Sequence, residues 1–363
     1  MKAAVMYEAS VPLEIVDLTI EDPKPGEVLV KMDATGLCAS DHHVIEGVLP
    51  YPTPIVLGHE ASGTIEKLGP GVSNWKVGDR CIFSFIPSCG FCFNCRSGIG
   101  HLCTTHRNDT NKHYDGTLRL KDKSGKEIHQ MHKLGSFAEM EVVSEQSCFK
   151  IPEQVPSEVG ALMGCCVATG IGGVINIPGV KIGSTMAVFG CGGVGLNIIQ
   201  GAKLLNATQI IAVDVHDHKL EFAYKFGATH VINAKSEDAV ESIIEISKGG
   251  VDYAFDSFGS SKVMEQVMSS IKMGGTGVIV GVAPFGEKVG VDMVDMIRGE
   301  KKLHSAFYGS KTPHETFKTI VDLYISQKID VDSLIRETYS LDQINEGFKA
   351  IEKGEDGRGV VVF

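Results

Sequence analysis

The glycine-rich stretch between residues 185 and 215 restricts the fold of this chain more than any other part of the sequence. An apolar segment, "TMAVF", is followed at once by four closely spaced glycines: Gly190, Gly192, Gly193 and Gly195. An amphipathic segment then runs to Leu205, and a second apolar segment, "QIIAVD", ends in Asp214. A strand, a tight glycine turn, a helix and a second strand with a terminal acid form one βαβ unit of the dinucleotide-binding type.

The chemistry of such a turn follows from its backbone. Glycines let the chain approach a pyrophosphate closely, and the N-terminus of the following helix supplies partial positive charge. Asp214 is expected to accept hydrogen bonds from the adenosine ribose and to repel a 2′-phosphate, which favours NAD over NADP. The alternative is a glycine-rich α/β turn that binds another nucleotide or none, because the chain contains 42 glycines.

Further apolar segments follow at regular intervals, with helix-like segments between them: "THVIN", "VDYAFD", "TGVIVG" and "LHSAFYG". Together with the first two they make six strands that alternate with helices. That alternation predicts an α/β fold with a doubly wound parallel sheet, a Rossmann domain.

Composition and charge exclude several classes of protein. Ten cysteines in 363 residues are too sparse for a secreted disulfide scaffold, and the N-terminus has no apolar core of signal-peptide length. No uninterrupted apolar run approaches the ~18 residues of a membrane helix. We therefore expect a cytoplasmic protein of about two domains. A net charge of −11 argues against nucleic acid or an anionic membrane as partner.

The segment "SCGFCFNCRSGIGHLC" carries four cysteines with the spacing C-x2-C-x2-C-x7-C: Cys89, Cys92, Cys95 and Cys103. Four thiolates fill the tetrahedral shell of zinc, so such a site holds a loop in place and does no catalysis. An iron–sulfur cluster is the rival, although its cysteine runs usually place the fourth cysteine closer and before proline. Free thiols are the third alternative. We favour structural zinc.

Cysteine and histidine also recur in three separated motifs. These are "GLCASDHHVIEG" with Cys38, "GHEASGTIEKLGPGV" with His59, and "GCCVATG" with Cys165 and Cys166. Any one such residue is more often part of a core than of a site. Their occurrence together with the four-cysteine segment and the glycine turn points to an enzyme.

With these motifs in this order, the chain resembles the zinc-dependent medium-chain alcohol dehydrogenases over its entire length. The stretch from Thr104 to Lys133 is similar to the insertion of the longer, liver-like branch. Within that branch, "FSFIPSCG" and "HQMHKLGSFAEMEVV" look most like enzymes that keep NAD tightly bound.

The resemblance implies a set of zinc ligands and their neighbours. Cys38, His59 and Cys165 match the two thiolates and the imidazole that hold catalytic zinc in alcohol dehydrogenase. Cys166 is the rival for Cys165, which fits the C-x3-T-G spacing better. Other positions match an acid that orients the ligand histidine, a carboxylate near the metal and a proton relay through the nicotinamide ribose: Asp41, Glu60, and Ser40 with His43.

The resemblance also implies contacts with substrate and cofactor. Phe85 and Ile86 match an apolar substrate pocket, although both positions could equally be core. Lys219 matches a residue that reaches the adenosine ribose, and Arg358 one that contacts the phosphates. Where liver-type members carry a basic residue, this chain has Ala39. His42 is expected to point away from the site in an extended segment.

The architecture implied is a GroES-like, mainly β catalytic domain (1–166 and 309–363) and an NAD-binding Rossmann domain (167–308). We expect hydride transfer between NAD and a primary aromatic, allylic or medium-chain alcohol, with one catalytic and one structural zinc per chain, in a homodimer or homotetramer.

Two alternatives remain. One is a dehydrogenase of the S-hydroxymethyl thiol adduct of formaldehyde. Arg107 matches its carboxylate-binding arginine, but Leu49 occupies the place of the accompanying acid. The other is a zinc-stapled protein that binds NAD without turnover.

Overall fold

The chain divides into two compact units. The computed structural model describes residues 1–107 and 111–363. The first unit comprises Met1–Cys165 and Lys311–Phe363, and the second comprises Cys166–Ser310. The functional domain boundaries given above stay a prediction.

Strands occur along the whole chain. In chain order they are β1 (Lys2–Met6), β2 (Glu14–Asp17), β3 (Thr19–Ile20), β4 (Glu27–Gly36), β5 (Ile55–Val56), β6 (Glu60–Leu68), β7 (Arg80–Phe83), β8 (Leu120–Lys121), β9 (Glu127–Gln130), β10 (Met140–Ser144), β11 (Cys148–Lys150), β12 (Thr185–Phe189), β13 (Gln209–Asp214), β14 (His230–Asn233), β15 (Val251–Asp256), β16 (Ile271–Ile279), β17 (Lys302–Ser305), β18 (Ile335–Tyr339) and β19 (Arg358–Val362).

The longer helices fall mainly in the second unit and in the C-terminal part of the first. In chain order the helices are α1 (Ala39–Ile45), α2 (Phe93–Arg96), α3 (Thr104–Arg107), α4 (Ser157–Leu162), α5 (Ala168–Ile175), α6 (Gly193–Leu204), α7 (Asp217–Phe226), α8 (Ala239–Ser247), α9 (Ser261–Ser270), α10 (Met293–Gly299), α11 (Pro313–Ile325) and α12 (Ile344–Glu352).

The first unit is built on two mainly antiparallel sheets. One has the order β2-β1-β5-β9-β8-β3, and the other has the order β11-β7-β6-β4-β19-β18 with β10 also paired to β4. Strand β4 is ten residues long and pairs with β6, β10 and β19, so it is the centre of its sheet. Two apolar cores pack against these sheets, one of which contains Trp75, the single tryptophan of the chain.

The second unit is a six-stranded parallel sheet with the order β14-β13-β12-β15-β16-β17. All six strands expected from the sequence are present, and every pairing between them is parallel. The strand order reverses beside β12, which is the arrangement of a doubly wound nucleotide-binding sheet. The predicted fold class is confirmed.

Two local expectations need revision. Residues 39–45, expected to be extended, form helix α1. The stretch Ser157–Ile175 is helical and, by length and composition alone, apolar enough to cross a membrane. Its one charged residue is Glu158, at its second position, and 78% of its most apolar window is buried inside the protein, so it has the character of a core helix.

A buried charge network ties the 111–133 segment to the start of β4. Arg119 donates to both carboxylate oxygens of Glu27, at 3.0 and 2.6 Å, and is only 1% exposed. Nδ1 of His113 lies 3.2 Å from the same carboxylate, and Asp115 lies 3.2 Å from Arg119. Residues 108–110, which belong to the predicted insertion, lie outside the described residues. The network fixes where the rest of that segment lies.

Candidate functional site

Three separated motifs meet in the first unit. Ligand atoms of Cys38, His59, Glu60 and Cys165 all lie within 4.8 Å of one another. The predicted thiolate–imidazole–thiolate set is therefore brought together by the fold, with a carboxylate beside it. Two sulfurs and one imidazole leave a tetrahedral zinc ion one open position, which is the requirement for metal catalysis. The donor chemistry fits zinc, while each residue's role as a ligand stays a prediction.

Local backbone structure explains how each of the three is presented. Cys38 precedes helix α1 as its N-cap. His59 follows Gly58, whose φ of +96° turns the chain into β6 and would strain any other residue. Cys165 lies in a π-helical turn, Met163–Val167, between α4 and α5. Such turns are rare and occur frequently at functional sites.

Asp41 contacts the ring of His59. Its Oδ1 lies 3.1 Å from His59 Nδ1 and accepts a hydrogen bond from the Gly58 backbone N–H at 3.1 Å. Burial lowers the pKa of His59, but the charge and hydrogen bond of Asp41, with those of Cys38, raise it well above the ordinary value. Nδ1 is thus held by Asp41, and Nε2 is left to bind a metal in place of a proton.

The thiol of Cys38 is in an environment that favours the thiolate. Hydrogen bonding with Cys165 and with His59 holds its pKa well below the usual value. A deprotonated sulfur is the form that binds metal. The electrostatics of this group therefore agree with the donor set.

Glu60 lies beside the metal donors and forms a buried ion pair. Its Oε2 is 2.6 Å from Nη2 of Arg358, which also donates to the carbonyl of Leu37 at 2.6 Å. Burial raises the pKa of Glu60 to about 7 against the opposing influence of Arg358. Arg358, predicted to contact cofactor phosphates, is thus already engaged at the metal site. Its phosphate contact stays a prediction.

Ser40 and His43 lie on the same face of α1, because residues three apart in a helix are neighbours. The Ser40 hydroxyl is 3.2 Å from Cys38 Sγ and 3.4 Å from His59 Nε2, so it borders the donor atoms. His43 is half-buried near the end of the helix. His42 turns the other way, where it stacks on Phe348 and lies 3.4 Å from Glu46.

Aromatic rings form a wall beside His59. Phe85 meets the His59 ring edge-on with 5.3 Å between centroids, and His132 does so at 5.9 Å. Nε2 of His132 lies 3.2 Å from the hydroxyl of Tyr51. Burial, with the charges of His59 and Lys133, lowers the pKa of His132 to about 3, and burial raises that of Tyr51 to about 12. Both side chains are uncharged at neutral pH.

The sequence prediction of this wall was incomplete. Of the two predicted pocket residues, Phe85 is on the wall. Ile86 is buried, and its backbone N–H donates to the hydroxyl of Ser84, which is fully buried. His132 and Tyr51 were missed. They lie 73 residues after and 8 residues before His59, and no spacing rule links either of them to it.

The four-cysteine segment closes on itself in the same unit. The sulfurs of Cys89, Cys92, Cys95 and Cys103 all lie within 4.8 Å of one another. Backbone N–H groups point at them, including those of Phe91 and Cys92 at 3.4 and 3.3 Å from Cys89 Sγ. A hydrogen bond from the Cys95 backbone lowers the pKa of Cys92 to about 5. Four converging sulfurs with N–H donors fit structural zinc.

Replacement of Cys92 tests that role. We expect Cys92→Ser to reduce zinc from two ions to one per chain and to lower Tm by on the order of 10 °C, because a structural zinc site contributes folding free energy directly. Zinc analysis and a thermal scan measure both effects. Phe93→Ser is the matched control, since Phe93 is 81% exposed in the same loop. A Cys92→Ser protein that kept two zinc ions would contradict the assignment.

In the glycine turn of the second unit, glycine is required at the first and last positions for two different structural reasons. Gly190 has φ +93°, and a Cβ on Gly195 would collide with the carbonyl oxygen of Gly190. Gly192 is the N-cap of α6 and makes no side-chain cap. A Cβ there would meet no protein atom within 4 Å. The first N–H groups of a helix have no partner within that helix, and with the open space at Gly192 they fit a phosphate of NAD.

Asp214 ends β13 next to this turn, as predicted. Its carboxylate accepts hydrogen bonds from the backbone N–H groups of Cys191 at 2.8 Å, Val215 at 2.7 Å and His216 at 3.1 Å. Asp214 therefore stabilises the conformation of the turn, independently of any contact with a ribose. Burial and the charge of Asp214 raise the pKa of Cys191, and the charge of Lys219, in the first turn of α7, opposes that rise. The ribose contacts of both residues stay predictions.

Cys166 is the alternative to Cys165 as a zinc ligand, and the fold gives the two sulfurs different surroundings. Its sulfur is fully buried in the second unit and lies 4.0 Å from the side-chain amide nitrogen of Asn197. Its neighbour Cys165 has its sulfur among the donor atoms of the first unit. The geometry therefore agrees with the choice of Cys165.

Comparison with known proteins gives a single family. Residues 24–153 match the alcohol dehydrogenase GroES-like domain, and residues 193–326 match the zinc-binding dehydrogenase family. S-(hydroxymethyl)glutathione dehydrogenase of Paracoccus denitrificans is 38% identical over 373 residues, covering 100% of this chain and 99% of that protein. Alcohol dehydrogenase class-3 of Cereibacter sphaeroides is 38% identical over 374 residues, with the same coverage.

Solved structures agree. The crystal structure of benzyl alcohol dehydrogenase from Acinetobacter calcoaceticus superimposes with a TM-score of 0.92 at 34% identity, covering 100% of this chain and 99% of that one. Fold, donor sets and whole-length similarity lead to one conclusion. The chain belongs to the zinc-dependent medium-chain alcohol dehydrogenase family, NAD-dependent oxidoreductases of small-molecule alcohols and aldehydes that use zinc and NAD as cofactors.

Proposed function

We propose that this enzyme interconverts a primary aromatic, allylic or medium-chain alcohol and its aldehyde with NAD. The observation that carries the proposal is the aromatic wall beside the donor set of Cys38, His59 and Cys165. Phe85 and His132 present ring surface within 6 Å of the His59 ring, measured between centroids. Ring surface in a site of this kind binds apolar or aromatic carbon skeletons.

The residues of the first unit divide the work of the reaction. When bound, zinc supplies a Lewis acid and NAD a hydride acceptor. Asp41 holds the His59 ring in place through Nδ1. The Ser40 hydroxyl, beside the donor atoms of Cys38 and His59, is placed to accept the proton of the alcohol. His43, on the same helical face, passes that proton towards solvent. The aromatic wall holds the carbon skeleton and excludes water.

Replacement of Ser40 tests the proton transfer. We expect Ser40→Ala to lower kcat on the order of 10²-fold or more, because general acid–base transfer typically contributes that factor. A pH profile of kcat is the measurement, and His43→Gln should lower kcat most at low pH, where other bases are protonated. The matched control is Ser269→Ala, an exposed serine on α9 of the second unit. An unchanged kcat and pH profile in Ser40→Ala would remove Ser40 from the mechanism.

Replacement of Asp214 tests cofactor choice. Asp214→Ala should lower the ratio of kcat/KM with NAD to kcat/KM with NADP by at least about tenfold, because the carboxylate repels a 2′-phosphate. The ratio is the readout, because the loss of three backbone hydrogen bonds at the turn weakens the binding of both cofactors. Turnover of NADP by the native enzyme as fast as NAD would contradict the role of Asp214.

Dehydrogenation of the S-hydroxymethyl thiol adduct of formaldehyde is the second candidate. It is favoured by the Paracoccus relative, which carries that activity in its name and matches the chain from end to end. Arg107, the carboxylate-binding candidate, is exposed at the end of α3. Leu49, at the place of the accompanying acid, packs instead against the apolar core. The packing of Leu49 against the core, at the place of that acid, favours the alcohol.

A substrate panel separates the two. Benzyl, allyl and hexyl alcohols, ethanol and S-hydroxymethylglutathione are compared with NAD by absorbance at 340 nm, in the native enzyme and in Arg107→Ala. We expect the apolar alcohols to exceed ethanol by at least about tenfold in kcat/KM, since each buried methylene contributes roughly 0.8 kcal/mol. A preference for the adduct that collapses only in Arg107→Ala would establish the second candidate instead.

We also propose a homodimer or homotetramer in the cytoplasm. Strand β17 is the edge of the parallel sheet and three of its four residues are exposed. Met293, Val294 and Ile297 of α10 are each more than half exposed. An open edge beside apolar side chains favours pairing with a second copy. None of the ten cysteines, all of which lie in the described residues, forms a disulfide, as expected in a reducing compartment.

A further inference from the structure

His132, which forms part of the aromatic wall, lies in a strained backbone segment. His132 and Lys133 are consecutive and both left-handed, with φ of +56° and +61°. Residues with side chains disfavour this conformation, and it persists only where the surrounding structure imposes it. Strain of this kind occurs most often where a ligand is held.

A chain of hydrogen bonds imposes that conformation. The Gln130 amide donates to the carbonyl of Leu134 at 2.7 Å and so spans the strained turn. The other end of the same amide lies 3.2 Å from Nε2 of His113, whose Nδ1 is held by Glu27. The direction of the His132 ring is therefore built into the first unit and does not depend on a surface loop.

The imidazole and the phenol that it meets are polar groups on an otherwise aromatic wall. His132 and Tyr51 share one hydrogen bond of 3.2 Å, which uses one donor and one acceptor. In either tautomer of the imidazole the pair retains one N–H or O–H donor and one acceptor. A purely hydrocarbon substrate lying against them would leave these groups without partners when water is displaced, which is unfavourable.

We propose that the His132–Tyr51 pair recognises a polar ring substituent, and that the preferred substrates are primary aromatic alcohols bearing a phenolic hydroxyl. This inference rests on the proposed function. The centroid of the His132 ring lies 5.9 Å from that of His59 and 5.1 Å from that of Phe85. A substituent at the far edge of a small aromatic alcohol is therefore within reach. A phenolic hydroxyl both donates and accepts, which matches the capacity of the pair.

The test compares alcohols of similar shape in the zinc-loaded enzyme with NAD. The ratio of kcat/KM for 3- and 4-hydroxybenzyl alcohol to that for 3- and 4-methylbenzyl alcohol is measured in direct competition. We expect a ratio of about ten or more for at least one ring position in the native enzyme, the factor that one net hydrogen bond supplies. In Tyr51→Phe and His132→Phe the ratio should fall to near one.

The readout for each variant is this ratio of kcat/KM values. A structural defect lowers kcat/KM for both alcohols in parallel and leaves the ratio unchanged. Tyr324→Phe, which removes a tyrosine hydroxyl on α11, should keep the native ratio. A native ratio near one would overturn the inference while turnover of benzyl alcohol left the proposed function standing. A ratio that survives in both variants would also overturn it. Turnover of allyl or hexyl alcohol but of no benzylic alcohol would overturn this inference alone, and no turnover of any of these alcohols would overturn the proposed function with it.

Discussion

Replacing His59 with alanine should abolish turnover and remove one zinc ion while the chain stays folded. His59 supplies the imidazole of the donor set with Cys38 and Cys165. A Lewis acid contributes several kcal/mol to a hydride transfer of this kind, so we expect kcat to fall on the order of 10³-fold or more. Zinc analysis should give one ion per chain, and the second should remain at the four cysteines.

The matched control for this variant is a half-buried histidine of the first unit. His314 lies on α11, and its Nε2 is 3.1 Å from the carbonyl of Cys148, away from the donor set. His314→Gln should keep two zinc ions and the native kcat. If His59→Ala retained both zinc ions, or kept turnover near the native value, the donor set would have to be sought elsewhere.

Replacing Arg119 with methionine should give the largest loss of stability. The change leaves the carboxylate of Glu27 buried beside a neutral side chain, and breaking a buried ion pair in this way costs about 3–5 kcal/mol. Arg119 is 1% exposed and its pairing with Glu27 is bidentate. The free energy of unfolding can be followed through the fluorescence of Trp75, which reports on the same unit.

A surface pair provides the comparison. Lys121 lies two residues on and pairs with Glu21 at 2.8 Å, with both side chains more than one third exposed. Lys121→Met should therefore cost no more than about 1 kcal/mol. Equal losses in the free energy of unfolding would show that the Arg119–Glu27 pair stabilises the fold no more than the surface pair does.

Acid should act on the same pair. Burial raises the pKa of Glu27, but hydrogen bonds from His113 and Arg119 outweigh it and lower the pKa to about 2. A carboxyl whose folded-state pKa is depressed stabilises the fold above its unfolded value of about 4.3 and loses that contribution as the pH falls towards 2. The native enzyme should show this loss, and Arg119→Met should show less of it.

The parts of the fold that could be predicted are those encoded by local pattern. Six apolar segments at regular spacing became six parallel strands, and the glycine turn lies between the first strand and its helix. The cysteine sets were found because ligand spacing and motif resemblance mark them. The helix at residues 39–45 was missed, since seven residues are too few to show helical periodicity against neighbouring strands.

The parts that could not be predicted depend on contacts between distant segments. The Glu27–Arg119 pair joins residues 92 positions apart, and the hydrogen bond between Tyr51 and His132 joins residues 81 apart. The left-handed conformation of His132 has no sequence signal, because it is imposed by its surroundings. Likewise, Arg358 could be matched to a phosphate contact, but its ion pair with Glu60 follows only from the packing of β19 beside β4.

The central claim is that one chain holds two zinc ions with different roles, of which only that at Cys38, His59 and Cys165 is needed for chemistry. The most direct measurement is the zinc content of a preparation whose active sites have been counted by NAD-dependent oxidation of benzyl alcohol in a single turnover. The account predicts two zinc ions per active chain. One zinc ion per fully active chain would contradict it.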